Sequence, residues 1–205
     1  GTAAGGMEQV LTSPESANAS LAESVSDDGS TIVGWTATAN GQQGFIADNG
    51  TVRLLGDFLP PDEAIVSSAN GVSADGSAVV GEARYDYDGL GRPVVQAFRW
   101  DRDSGMLPLG YLHDAAPNSS AMAISADGRV VTGESGPSAA GGLPEPFRWT
   151  PETGMVSILA GGIGAGMDLS ADGSFIVAVG SANPGGAVTW DSDRGARLLI
   201  GLMEE

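Results

Sequence analysis

Two glutamates, Glu82 and Glu134, occupy the same place in two copies of a repeated stretch, each directly after the glycine that follows a β-branched run. Paired carboxylates carry out general acid and base chemistry, as in glycoside hydrolysis, when they converge in one pocket. The corresponding positions in the other copies read as Trp35 and Ser181. The repeat therefore does not require the pair, and chance placement is the simpler explanation. The single histidine, His113, stands beside Asp114 in "GYLHDAAP". A His-Asp dyad needs a nucleophile, yet the chain has no G-x-S-x-G elbow, and Ser135 in "GESGP" lacks that spacing. His113 reads as a solvated loop residue.

Asp101 and Asp103 in "DRDSG", and Asp191 and Asp193 in "DSDRG", resemble the opening of a calcium loop. No Glu follows at the distance an EF-hand needs. The third copy forms the same turn as "TPETG", without the first aspartate. These four aspartates are expected to shape turns, with weak calcium ligation as the alternative. No other cofactor is implied. The stretch 84–95, "RYDYDGLGRPVV", holds Arg84, Tyr85, Tyr87 and Arg92 among acids, the residue types that dominate binding energy at interfaces. It is expected to be a variable loop carrying a ligand site, or simply a long linker.

What positions these residues is a fourfold repeat. "AESVSDDGSTIVGWT", "ANGVSADGSAVVGEA", "AMAISADGRVVTGES" and "GMDLSADGSFIVAVG" share a Ser-x-Asp-Gly tetrad whose glycines are Gly29, Gly76, Gly128 and Gly173. Their spacing, a period of about 45 to 50 residues, lies in the range of propeller blades. Each unit reads as strand, Asp-Gly turn, strand, variable loop, strand, polar Gly turn, strand. Asp-Gly supplies the positive φ of a tight hairpin, and Gly81 is read as ending the return strand. Phe98 with Trp100, Phe147 with Trp149, and Val188 with Trp190 lie two apart, hence on one face of a third strand, where they are expected to form the core between units. Arg99 and Arg148 alternate with them and are expected to reach acidic edges of a neighbouring unit.

The pattern predicts an all-β, β-propeller-like array of four-stranded antiparallel blades: four full repeats, about 17–59, 66–113, 118–160 and 164–203, plus one extra N-terminal strand at 5–11. That strand would complete a blade or pair at an open edge, including with a second molecule. The composition limits partners. Net charge is −17, with nine Arg and no Lys against 26 acidic residues, so nucleic acid and anionic membranes should be repelled. The absence of Cys excludes disulfides and thiol chemistry. There is no run long and apolar enough for direct membrane insertion.

The series S-x-D-G-x-x-V-V-G, A-F-x-W and G-x-x-x-L-G-x-L, best matched from Ser73 to Leu112, resembles the HAF-type extracellular repeat family, over nearly the whole chain. The eponymous His is replaced here by Gln96. The resemblance implies a bacterial extracellular or cell-surface protein, similar to autotransporter passenger repeats and part of a longer secreted chain. The expected function is a non-enzymatic binding or structural module whose ligand is a protein or glycan, with a carbohydrate-binding or carbohydrate-active propeller as the alternative.

Overall fold

The computed structural model describes residues 19–60, 64–114, 117–136, 143–181 and 186–199. The expected strand at 5–11 and the end of the fourth repeat lie outside them. The described residues form sixteen strands and no helix. The first unit contains β1 (Ser20–Val25), β2 (Thr31–Thr38), β3 (Gly41–Asp48) and β4 (Thr51–Leu54). The second contains β5 (Ile65–Val72), β6 (Ala78–Tyr87), β7 (Pro93–Asp101) and β8 (Gly105–Pro108). The third contains β9 (Ser119–Ile124), β10 (Val131–Ser135), β11 (Glu145–Thr150) and β12 (Gly154–Ser157). The fourth contains β13 (Ile163–Leu169), β14 (Phe175–Ser181), β15 (Gly186–Asp191) and β16 (Gly195–Leu198). Consecutive strands within each unit pair antiparallel; the same holds in the last two units.

Two features depart from a ring of separate blades. The first two units form one eight-stranded sheet, because β3 and β5 pair in parallel at Gly41–Ile65 and Gln42–Val66. Gly41 permits this: a Cβ there would lie 2.2 Å from the Ile65 carbonyl oxygen. Among the described residues, the sheets also do not close into a ring, as β1 pairs only with β2 and β16 only with β15.

The Ser-x-Asp-Gly tetrad makes a wider loop than a two-residue Asp-Gly turn. In the first unit the Ser26 amide donates to the Thr31 carbonyl at 2.9 Å, leaving four residues between them. Only the glycine of each tetrad takes positive φ. The serine hydroxyl donates to the aspartate Oδ1 in every copy: Ser26–Asp28 2.7 Å, Ser73–Asp75 2.8 Å, Ser125–Asp127 2.6 Å and Ser170–Asp172 2.6 Å. The same serine oxygen accepts the amide five residues on, from Thr31, Ala78, Val130 and Phe175. These donors favour the carboxylate. The Ser30 amide acts most strongly on Asp28 and the Ser170 hydroxyl on Asp172, and both carboxyls are held down at about 2.

The aromatic pairs form the core between sheets, as their spacing implies. Phe98 and Trp100 pack with Val79 against Val33 and Ile46 of the first unit. Phe147, Trp149 and Val131 pack against Val80 and Ala97 of the second. Ile176, Val188 and Trp190 pack against Ile158 of the third. The alternating arginines do reach the next unit, but not its acidic edges. Arg99 Nε donates to the Gly128 carbonyl at 2.9 Å, and the Arg148 guanidinium lies 5.6 Å above the Trp190 ring.

Candidate functional site

Glu82 and Glu134 lie nine residues beyond the tetrad serines of the second and third units, in the middle of β6 and near the end of β10. By this count their fourth-unit equivalent is Val179, not Ser181. Both glutamates line a cleft of about 270 Å³ between those units, with Ser119, Ser120 and Asn118 on one side and Pro93, Val95 and Pro144 beside them. Sequence spacing places the pair in equivalent positions, and the packing of β6 and β7 on β9 brings them into one cleft. Burial pushes the Glu82 carboxyl up, opposed by the Ser120 hydroxyl that donates to it. Burial also raises Glu134, and the charge of Glu82 adds to the effect. None of the described ion pairs holds either group.

The remaining hydroxyls are committed to the scaffold. Ser119 Oγ accepts the Ala97 amide and donates to the Gly110 carbonyl; Ser135 Oγ accepts the Leu112 amide and donates to the Asn118 carbonyl. The cleft thus offers two half-buried carboxyls between a polar side and an apolar one, Pro93, Val95 and Pro144, and no activated nucleophile among the described residues beside them. His113 is elsewhere: half exposed, with Nε2 3.5 Å from Glu145.

A group with its folded pKa raised binds protons more tightly in the folded state. Its contribution is fully present below the unfolded value and is lost as pH rises through the folded one. Glu82→Gln with Glu134→Gln is therefore expected to raise the melting temperature at neutral pH, by about 2 to 4 °C for a stabilisation near 1 kcal/mol in a chain of this size. The gain should vanish below pH 4.5, the ordinary glutamate value. A pH series of thermal melts reads it.

The four residues of 84–95 do not form one site. The expected loop is mostly strand, with β6 running through Tyr87, β7 starting at Pro93 and only 88–92 as its tip. Arg84 is 1% exposed and pairs through Nη2 with Asp57 at 2.9 Å, so it is a strut and not a ligand anchor. Its guanidinium also lies 5.1 Å over the Tyr87 ring. Tyr85 is exposed on one side and packs edge-on against Phe58 and Tyr111. Burial, with Tyr85 and Asp86 adding, pushes the Tyr111 hydroxyl up to about 12. Arg92 pairs with Asp88 at the solvated tip, at 2.7 Å.

The calcium alternative has no support in the geometry. Asp101 Oδ1 accepts the Asp103 and Ser104 amides while its Oδ2 accepts from Arg99. Asp191 Oδ1 accepts the Asp193 and Arg194 amides while its Oδ2 accepts from Arg197. Asp103 and Asp193 contribute only their amides to these turns. Among the described residues, no three His, Cys, Asp or Glu side chains converge where a metal ion could sit.

No protein-family model matches this chain, and no curated protein sequence matches it. Solved structures do. TolB from Acinetobacter baumannii superposes with a TM-score of 0.61 at 19% identity, over 93% of this chain and 45% of its own. A structure assigned to TolB from Agrobacterium tumefaciens gives 0.58 at 18%, over 85% and 62%. A prolyl endopeptidase gives 0.54 at 11%, over 84% and 27%. The chain thus spans less than two thirds of each of these proteins. At such identities the likeness is one of fold, and the fold is all-β and propeller-like.

Proposed function

We propose that the chain is a non-enzymatic binding module of a bacterial surface or envelope protein, and that its ligand seat is the cleft between the second and third units. The observation that carries this is the pair Glu82 and Glu134, two half-buried carboxylates that no described cation neutralises, in a cleft walled by Pro93, Val95 and Pro144. Buried charge is costly unless paired. A ligand with a cationic head and a hydrocarbon body relieves that cost, and the lysine side chain of an extended peptide has this chemistry. The −17 net charge draws such a partner from a distance. The surface location follows the resemblance to extracellular HAF repeats.

The test is titration with a short lysine-containing peptide and its acetyl-lysine counterpart. The free amine should bind and the acetylated form should not, and the Glu82→Gln, Glu134→Gln variant should lose the free-amine signal while keeping the native circular dichroism. Equal affinity for both peptides, or binding that survives the double substitution, would count against the cleft.

The glycan alternative draws on a second cleft of about 900 Å³ between the first two units, lined by Asp48, Asp75, Asp101, Asp103 and Trp100 together with Arg53, whose guanidinium lies over the Trp100 ring. An oligosaccharide that binds the double Gln variant normally, and is lost in Asp103→Ala, would favour it.

A further inference from the structure

The three junctions between consecutive units repeat one set of contacts. The second residue of each tetrad donates its amide to the equivalent carbonyl of the following unit: Asp27 to Ala74 at 3.0 Å, Ala74 to Ala126 at 3.2 Å and Ala126 to Ala171 at 2.8 Å. The tetrad glycine of the following unit sits over the first residue past the turn of the one before. A Cβ on Gly76, Gly128 or Gly173 would lie 2.3, 2.9 or 2.5 Å from Thr31, Ala78 or Val130. Two residues on, Val33, Val80 and Thr132 are all 0% exposed.

Among the described residues, the outer ends show the two complementary halves of this junction, both open. On the fourth unit the equivalents of Thr31 and Val33 are Phe175 and Val177, 37% and 42% exposed, with Val179 at 60% beside them. No described backbone acceptor takes the Ala171 amide. On the first unit no described atom lies within 4 Å of where a Gly29 Cβ would stand. Val25 there is 56% exposed, whereas its second-unit equivalent Val72 is 9% exposed in the core between units. No described backbone donor reaches the Asp27 carbonyl.

We propose that the fourth unit of one copy docks on the first unit of a second copy, repeating the internal junction head to tail. Gly29 of the incoming copy covers Phe175, Val25 enters beside Val177, and the Ala171 amide donates to the Asp27 carbonyl. This is face packing, distinct from the edge-strand association expected from sequence. Two such contacts in a pair leave no open half, and the pair carries eight units, within the four to eight blades typical of radial arrays. With both copies strongly acidic, salt should strengthen the pairing by screening repulsion.

Sedimentation velocity across protein and salt concentration tests it with the chain as it stands. A dimer is expected that tightens with salt. Val177→Glu and Val25→Glu, both at exposed positions, should each weaken it roughly a hundredfold by placing a charge in the contact. Mixing the two variants should restore dimers, because one wild-type half of each meets the other. A chain that is monomeric at every concentration overturns the proposal. So does a dimer that survives both substitutions, and so does one lost in Val177→Glu but intact in Val25→Glu, which would be a symmetric back-to-back contact.

Discussion

Gly81→Ala is expected to cost about 3 to 5 kcal/mol, among the larger effects of a single methyl group, read from urea unfolding of the intact chain. The cause is not backbone conformation, since Gly81 does not take positive φ. A bulge in β5 between Ala69 and Gly71 lifts the Ser68 carbonyl over the glycine, and a Cβ would lie 1.9 Å from that oxygen. The same contact recurs at Gly34 with Leu21 and at Gly133 with Ser120, at 1.9 and 2.0 Å. In each of these units the glycine pairs across the ladder with an alanine: Ala22, Ala69 and Ala121. The fourth unit exchanges the two, with Ala178 opposite Gly166. Adding Ala69→Gly to Gly81→Ala should therefore recover part of the loss. Gly29→Ala is the contrast: its site is open and its φ is +72°, so only the left-handed conformation is penalised, at about 1 to 2 kcal/mol. If Gly81→Ala proved no worse than Gly29→Ala, the bulge would not be the constraint.

The same glycine shows where sequence stops being informative. Locally, a β-branched run followed by Gly looks like the end of a strand. What demands glycine is a carbonyl of the neighbouring strand, and β6 continues six residues past it to Tyr87. The tetrads and the aromatic pairs were legible because both follow a fixed period: a turn shape in one case, one face of a strand in the other. The stretch 84–95 was misread because its strand alternation is written in Arg, Tyr and Asp, types that look solvated when their partners are unknown. Arg84 reads as a surface anchor until Asp57, far back in the linker between units, is placed against it. For the cleft, repeat alignment puts Glu82 and Glu134 in equivalent positions, while their convergence depends on how two sheets pack. The D-x-D spacing resembles a calcium loop for a related reason: without its partners it does not reveal that Asp101 and Asp191 accept amides of their own turns.

Breaking the Arg84–Asp57 pair is expected to destabilise the fold by about 3 to 5 kcal/mol, because it strands a charge in the interior. The two side chains are 1% and 2% exposed. Asp57 also accepts the Leu59 amide at 3.1 Å and the Val66 amide at 3.3 Å, while the Arg84 carbonyl accepts the Phe58 amide at 3.1 Å. The pair therefore fastens the linker between the first two units to β6. Arg84→Met leaves Asp57 buried without its cation and should lower the urea midpoint sharply. Asp57→Leu leaves the guanidinium, though Tyr87, hydrogen-bonded to Nη1 and stacked under the cation, still faces it. The double variant Arg84→Met, Asp57→Leu removes both charges, a change that is often neutral, but it leaves the Leu59 and Val66 amides without their side-chain acceptor, so it should recover part of the loss and not all of it. A residue that served only as an exposed ligand anchor would behave differently: Arg84→Met alone would stay within about 0.5 kcal/mol of the parent, and the second substitution would rescue nothing. The sign of the coupling in this double-mutant cycle thus decides whether Arg84 belongs to the scaffold or to a binding surface.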